Sequence, residues 1–233
     1  MLLGSYDLLA DDPSGFFRLA VLIAFALVTA VTIHEFSHAL VATSLGDNTA
    51  RRMGRLSLNP MRHLDPSGTV MMLVAGFGWG KPVPVDLRQL SRGHTDTALV
   101  AVAGPISNLA FAFLLAIPFK TGLLVPASLS LDRVAHVMTG GLSEGIADGL
   151  VVVIFFNLLL GVFNLLPLAP LDGSRVLAGL VPSEHTAAYG RLQRNGPGIL
   201  VAIIMLDFAL GLGILWGIIG PVVGALTTAA TGY

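Results

Sequence analysis

Cysteine is absent from all 233 residues, so neither a disulfide framework nor a thiolate metal site is available, and any bound metal must rest on nitrogen and oxygen ligands. Charge is scarce as well: 12% of the residues are Asp, Glu, Lys or Arg, against about 25% in a soluble domain. With a formal net charge of -1 the chain lacks the broad cationic surface that phosphate backbones require, and nucleic acid is not an expected partner. The amino terminus, MLLGSYDLLADDPSGFFR, has neither the positive n-region nor the small-residue cleavage site of a secretory signal. Its first apolar stretch is therefore read as a retained span. Internal repeats and low-complexity tracts are also missing, which favours a single membrane-embedded domain over residues 1–233.

Apolar residues fill the space that charge leaves, making up 54% of the chain. A bilayer core of about 30 Å needs about 20 such residues per helix. Four stretches qualify, near 16–44, 97–117, 148–166 and 198–224. The first ends at Leu45-Gly46-Asp47, where glycine suits a helix C-terminus, and the second and third run into Pro118 and Pro167. A fifth apolar run at 68–85 is broken by Gly76, Gly78, Gly80, Pro82 and Pro84, which points to a re-entrant or interfacial segment rather than a span. The expected fold is thus an all-α membrane protein of about four transmembrane helices plus a re-entrant or interfacial segment with short β-strands. Segments 51–58 and 81–86 are the candidates for those strands. Ten of the 13 Lys and Arg residues fall in the 45–96 and 167–197 loops, which marks that side as cytoplasmic and turns both termini outward.

Close to the cytoplasmic end of the first span stands His34-Glu35-Phe36-Ser37-His38, an H-E-x-x-H pattern. At 100° per residue the two histidines lie about 40° apart and Glu35 about 100° from His34, so all three occupy one sector of the helix. Two imidazoles can then share one zinc while the carboxylate reaches a water beside it. Six histidines and three glutamates in 233 residues would produce this pattern by chance roughly 0.002 times. Ionisable groups inside an apolar span are costly, and that adds to the functional reading. A catalytic zinc usually takes a third protein ligand. Asp172, in FNLLPLAPLDG, is the candidate, because the third span runs parallel to the first and delivers it to the same side; Asp-Gly is also a common turn dipeptide. His63, His94, His136 and His185 sit in loops and are expected to be solvated, with His136 on the opposite side. Asn157 and Asn164 share one face of the third span. Asp207, deep in the last apolar stretch, needs a partner and is read as a buried hydrogen-bonding group rather than a ligand.

The series HEFSHAL, NPMRHLDPSGT, KPVPVD, AGPISN and NLLPLAPLDG, in that order over about residues 30–180, resembles the site-2 protease family of intramembrane zinc metalloproteases. The resemblance implies His34, His38 and Asp172 as zinc ligands and Glu35 as general base. It also implies substrate-side roles for Asn164 and Pro170; Asn108 is divided between substrate contact and interhelical packing. Expected partners are the lipid bilayer and transmembrane protein substrates, such as membrane-held regulators or leftover signal peptides. The expected location is a prokaryotic cell membrane with the active site toward the cytoplasm. The PDZ and CBS modules of many relatives are missing from this sequence. A divalent metal-ion transporter is the alternative from another class, but the paired repeats of such transporters are not visible. A non-catalytic membrane scaffold is disfavoured by the complete His, Glu, His and Asp set.

Overall fold

A computed structural model of the chain describes residues 6–75, 78–125, 142–181 and 186–233. His136 and His185 lie outside the described residues. The main helices are α1 (Pro13–Ser44), α2 (Pro66–Ala75), α3 (His94–Leu115), α4 (Leu142–Asn164), α5 (Asp172–Leu180), α6 (Thr186–Leu210) and α7 (Ile214–Thr231). Among the described residues four helices are long and apolar enough to cross a membrane: Pro13–Ser44, His94–Lys120, Ser143–Asn164 and Ile214–Thr231. The first three correspond to expected spans. At 32 residues, α1 is about 48 Å long. It starts on Asp12, whose Oδ1 accepts the Gly15 amide at 2.9 Å, and it is followed by Gly46 at φ 109°.

The expected fourth span over 198–224 is replaced by two helices. Gly211 and Gly213 take φ values of 61° and 65°, a left-handed backbone that most side chains avoid, and they break the apolar run. The freed amides of Ile214 and Leu215, at the start of α7, are accepted by the Asp207 carboxylate at 2.7 and 3.2 Å. Asp207 therefore caps a helix across the turn. Loss of such a cap costs about 1 kcal/mol. Asp207→Ala is expected to lower the thermal unfolding midpoint in detergent by a few degrees without changing metal content, as scanning calorimetry and metal analysis would show.

The core is built around α4. One flank of α4, Val152, Val153 and Phe156, packs on Leu19, Ile23, Leu27 and Val31 of α1. The other, Ile154 and Leu158, packs with Ala112 of α3 and with Ile219 and Val223 of α7. Ala26 and Ala30, four residues apart on α1 and fully buried, keep its backbone close to its neighbours. Rising residue numbers on α1 meet falling ones on α3, since Ala30 contacts Asn108 while His38 contacts Val100. These two helices are antiparallel. Gly149 of α4 faces Leu22 of α1, whereas Asn157, eight residues on, bonds the Asn108 that also reaches Ala30. Hence α4 runs parallel to α1, as the position of Asp172 requires.

Residues 45–75 and 78–93 fold into a lobe over the motif end of α1. Asp47, fully buried, accepts the amides of Thr49 at 2.9 Å and Asp86 at 2.7 Å. Buried Arg55 donates to the carbonyls of Arg62 and Lys81. His63 is completely buried and donates its Nε2–H to the Ser57 carbonyl at 2.6 Å, contrary to its expected solvation. The short β-strands expected near 51–58 and 81–86 are not found among the described residues; a single antiparallel bridge joins Leu64 and Gly80. Within 81–86 the reason is visible. Pro82 and Pro84 have no amide hydrogen, and those of Val83 and Asp86 are taken by the carboxylates of Glu35 and Asp47. Nor does 68–85 form one re-entrant unit: its first part belongs to the ten-residue helix α2, and its last part is this segment without regular secondary structure.

Candidate metal centre

Three side chains from two helices converge at one point. His34 and His38 come from adjacent turns of α1, and Asp172 is the first residue of α5, reached through the LLPLAPL connection after α4. His34 Nε2 and His38 Nε2 lie 2.9 and 3.1 Å from Asp172 Oδ2, and all three side chains are buried. The residues that sequence reasoning placed 134 and 138 positions apart are thus brought together.

The far side of each ring fixes which nitrogen carries the proton. His38 Nδ1 lies 2.7 Å from the Val100 carbonyl, which only accepts, so a hydrogen sits on Nδ1, and in the neutral ring the Nε2 lone pair points inward. For His34 the same result comes through a chain of amides. Asn157 donates to Val153 O at 2.8 Å, which turns its own oxygen toward Asn108. Asn108 donates to that oxygen at 2.9 Å and to Ala30 O at 3.0 Å, leaving its Oδ1 to accept from His34 Nδ1 at 2.7 Å. With both rings neutral, two nitrogen lone pairs and a carboxylate oxygen face one another. This is the donor set of a divalent cation, held by outer hydrogen bonds of the kind that orient metal-ligating histidines.

Glu35 lies beside this cluster. Its Oε2 accepts the Val83 amide at 3.2 Å. Its Oε1 borders Gly80, where a Cβ would stand 3.4 Å away. Of the substrate-side candidates, Asn164 at the end of α4 donates to Leu160 O at 3.0 Å, and Pro170 is exposed two residues before Asp172. Asn108 is completely buried and spends its carboxamide within the protein. Sequence reasoning missed the backbone contributors Val100 and Val83, and it missed Gly104. A Cβ on Gly104 would meet His38 Nε2 at 2.5 Å and His34 Cε1 at 2.7 Å. Gly104 and Asn108 are four residues apart and share a face of α3, a signal that could have linked both to the histidines.

A bundle of apolar helices with a buried H-E-x-x-H and aspartate centre defines a class, the membrane-embedded metalloproteases. The chain belongs to peptidase family M50, the site-2 protease family, whose model matches residues 22–206. Among curated proteins it is similar to "Putative zinc metalloprotease YwhC" of Bacillus subtilis, with 41% identity over 190 residues that cover 82% of each chain. It is also similar to "Putative zinc metalloprotease Rip2" of Mycobacterium tuberculosis, 30% identical over 71% of this chain and 60% of that one. The protein of the same name from Mycolicibacterium smegmatis is 26% identical over 83% of this chain and 70% of that one. No solved structure matches the chain. The protein is a metalloprotease, and zinc is the cofactor that the relatives' names state and that this donor set fits.

Proposed function

We propose that this protein hydrolyses peptide bonds in or beside the transmembrane segments of other membrane proteins, with His34, His38 and Asp172 holding zinc and Glu35 acting as general base. The observation that carries this reading is the tautomer lock: Val100 O and Asn108 Oδ1 leave both Nε2 lone pairs aimed at the oxygen of Asp172. Bound there, zinc would supply Lewis acidity toward a scissile carbonyl and acidify a nearby water. Glu35 keeps one oxygen on the Val83 amide, and Oε1 takes a proton from the attacking water and returns it to the departing amine. Asn108 acts as a positioning residue for His34. Asn164 and Pro170, at the connection leading to Asp172, are placed to border the substrate. A substrate helix must unwind before its carbonyls can be attacked. The lysine and arginine distribution supports a cytoplasmic-facing site.

The test is cleavage in liposomes of defined composition. Purified protein is expected to cut at least one of a panel of single-span peptides, to stop when zinc is removed by a chelator, and to recover when zinc is restored. Zinc flux across the vesicle wall without peptide cleavage would overturn the reading in favour of the transporter.

A further inference from the structure

A cleft of about 360 Å³ opens beside the metal centre, between the 83–87 segment, the first turns of α3, α5 and Gln193 of α6. It shares a wall with the centre. Val83 lines it and gives its amide to Glu35; Val100 lines it and gives its carbonyl to His38. The rest of the lining is half aliphatic and half polar (His94, Thr97, Gln193 and Arg175), with Arg175 as its permanently charged member. On α5, Asp172, Arg175 and Gly179 are three and seven residues apart and share one face. That face lies on α3, because a Cβ on Gly179 would stand 2.6 Å from Ala98 Cβ and 3.0 Å from the His94 carbonyl. Arg175 is therefore three residues, about 4.5 Å along the axis, from Asp172. It is exposed, and among the described residues no carboxylate pairs with it. The rim is fixed by α6, whose Tyr189 hydroxyl and Gln193 amide both donate to the Ser174 carbonyl.

We propose that this cleft is a substrate subsite in which the Arg175 guanidinium receives a carboxylate, selecting protein segments with Asp or Glu within about three residues of the scissile bond. The inference rests on the protease reading above. An extended substrate advances about 3.3 Å per residue. That offset of about 4.5 Å plus an arginine side chain of about 6 Å corresponds to about three substrate positions. The aliphatic walls accept the stem of the acidic side chain, and the planar guanidinium matches a carboxylate better than an ammonium would. Orientation of the protein in the membrane accounts for basic residues anywhere on this side. It does not account for an exposed one lining a cleft that shares its wall with the metal centre.

The test compares wild type, Arg175→Gln and Arg175→Glu in the same liposomes. The substrates are single-span peptides carrying Glu, Gln or Lys at the third position on either side of the mapped cleavage point. The readout is the Glu-to-Lys ratio of kcat/KM within each protein, so it does not depend on how much of a variant folds. Wild type should prefer Glu over Lys by about fivefold, the scale of one partly exposed ion pair. Arg175→Gln should bring the ratio to near one, and Arg175→Glu should invert it. Should Arg175→Glu lose all cleavage, the ratio in Arg175→Gln decides. Cleavage by wild type with no preference, or with a preference that both variants keep, overturns the subsite alone. A wild type that cuts no peptide overturns the protease reading and the subsite together.

Discussion

Glu35→Gln is expected to reduce peptide cleavage by about 10²- to 10⁴-fold, the usual contribution of a general base, while zinc content stays at the wild-type level. That loss corresponds to about 3 to 5.5 kcal/mol in the barrier. The separation of the two effects follows from the geometry. Glu35 is not one of the three groups that converge, so its replacement leaves the donor set of His34, His38 and Asp172 intact. Glutamine can still offer its carbonyl oxygen to the Val83 amide, which Glu35 Oε2 now accepts at 3.2 Å, so the 81–86 segment stays anchored. What the amide cannot do is take a proton from water at neutral pH. Metal analysis by mass spectrometry, with cleavage rates on the same preparation, checks both halves. A variant that cuts within threefold of wild type would remove Glu35 from the mechanism, and one that arrives without zinc would show its role to be structural.

The parts of the centre that sequence reasoning could name are those that reside in side chains with a strict spacing. His34, Glu35 and His38 are fixed to one helical sector by the 3.6-residue period, and Asp172 was assigned to the same side by counting spans. The structure brings His34, His38 and Asp172 to within bonding distance of one another. The parts that could not be named are carried by backbone. The Val100 carbonyl and the Val83 amide are chemically the same as those of every other residue, and tertiary packing alone selects them. The amide relay from Val153 through Asn157 and Asn108 to His34 was half legible: two buried asparagines stood out, but which helix each would face did not. Hydropathy measures how well a segment suits hydrocarbon, not where it bends, so 198–224 read as one span although Gly211 and Gly213 divide it. Asp207, puzzling within a continuous span, is a cap once the division is known. His63 was misjudged for a related reason. A loop is not always a solvated surface, and here the lobe folds over it and gives it the Ser57 carbonyl.

The second large effect is expected from the addition of one methyl group. In Gly104→Ala the new Cβ would stand 2.5 Å from His38 Nε2, 2.6 Å from His38 Cε1 and 2.7 Å from His34 Cε1, all well inside van der Waals contact. Something must move, and the rings have little freedom to do so gently. Each is tethered by its Nδ1 at 2.7 Å, His38 to the Val100 carbonyl on the same helix as Gly104 and His34 to Asn108 one turn further along. A ring that rotates away from the methyl loses its tether, its fixed tautomer and its aim at Asp172 together. Disturbing such outer contacts commonly costs 10- to 100-fold in metal affinity. Here the displaced atom is itself a proposed ligand, so zinc affinity should fall by about 100-fold or more, with cleavage lost at limiting zinc. Competition against a chromophoric chelator measures the affinity directly. Gly149→Ala supplies the control, since its Cβ would find only Leu22 Cδ1 at 3.8 Å, an ordinary contact in the same bundle. If both substitutions leave zinc affinity at the wild-type value, the two imidazoles do not hold the metal through the nitrogen atoms that crowd Gly104. If both lower it equally, the loss reports general loosening of the helices rather than a blocked centre.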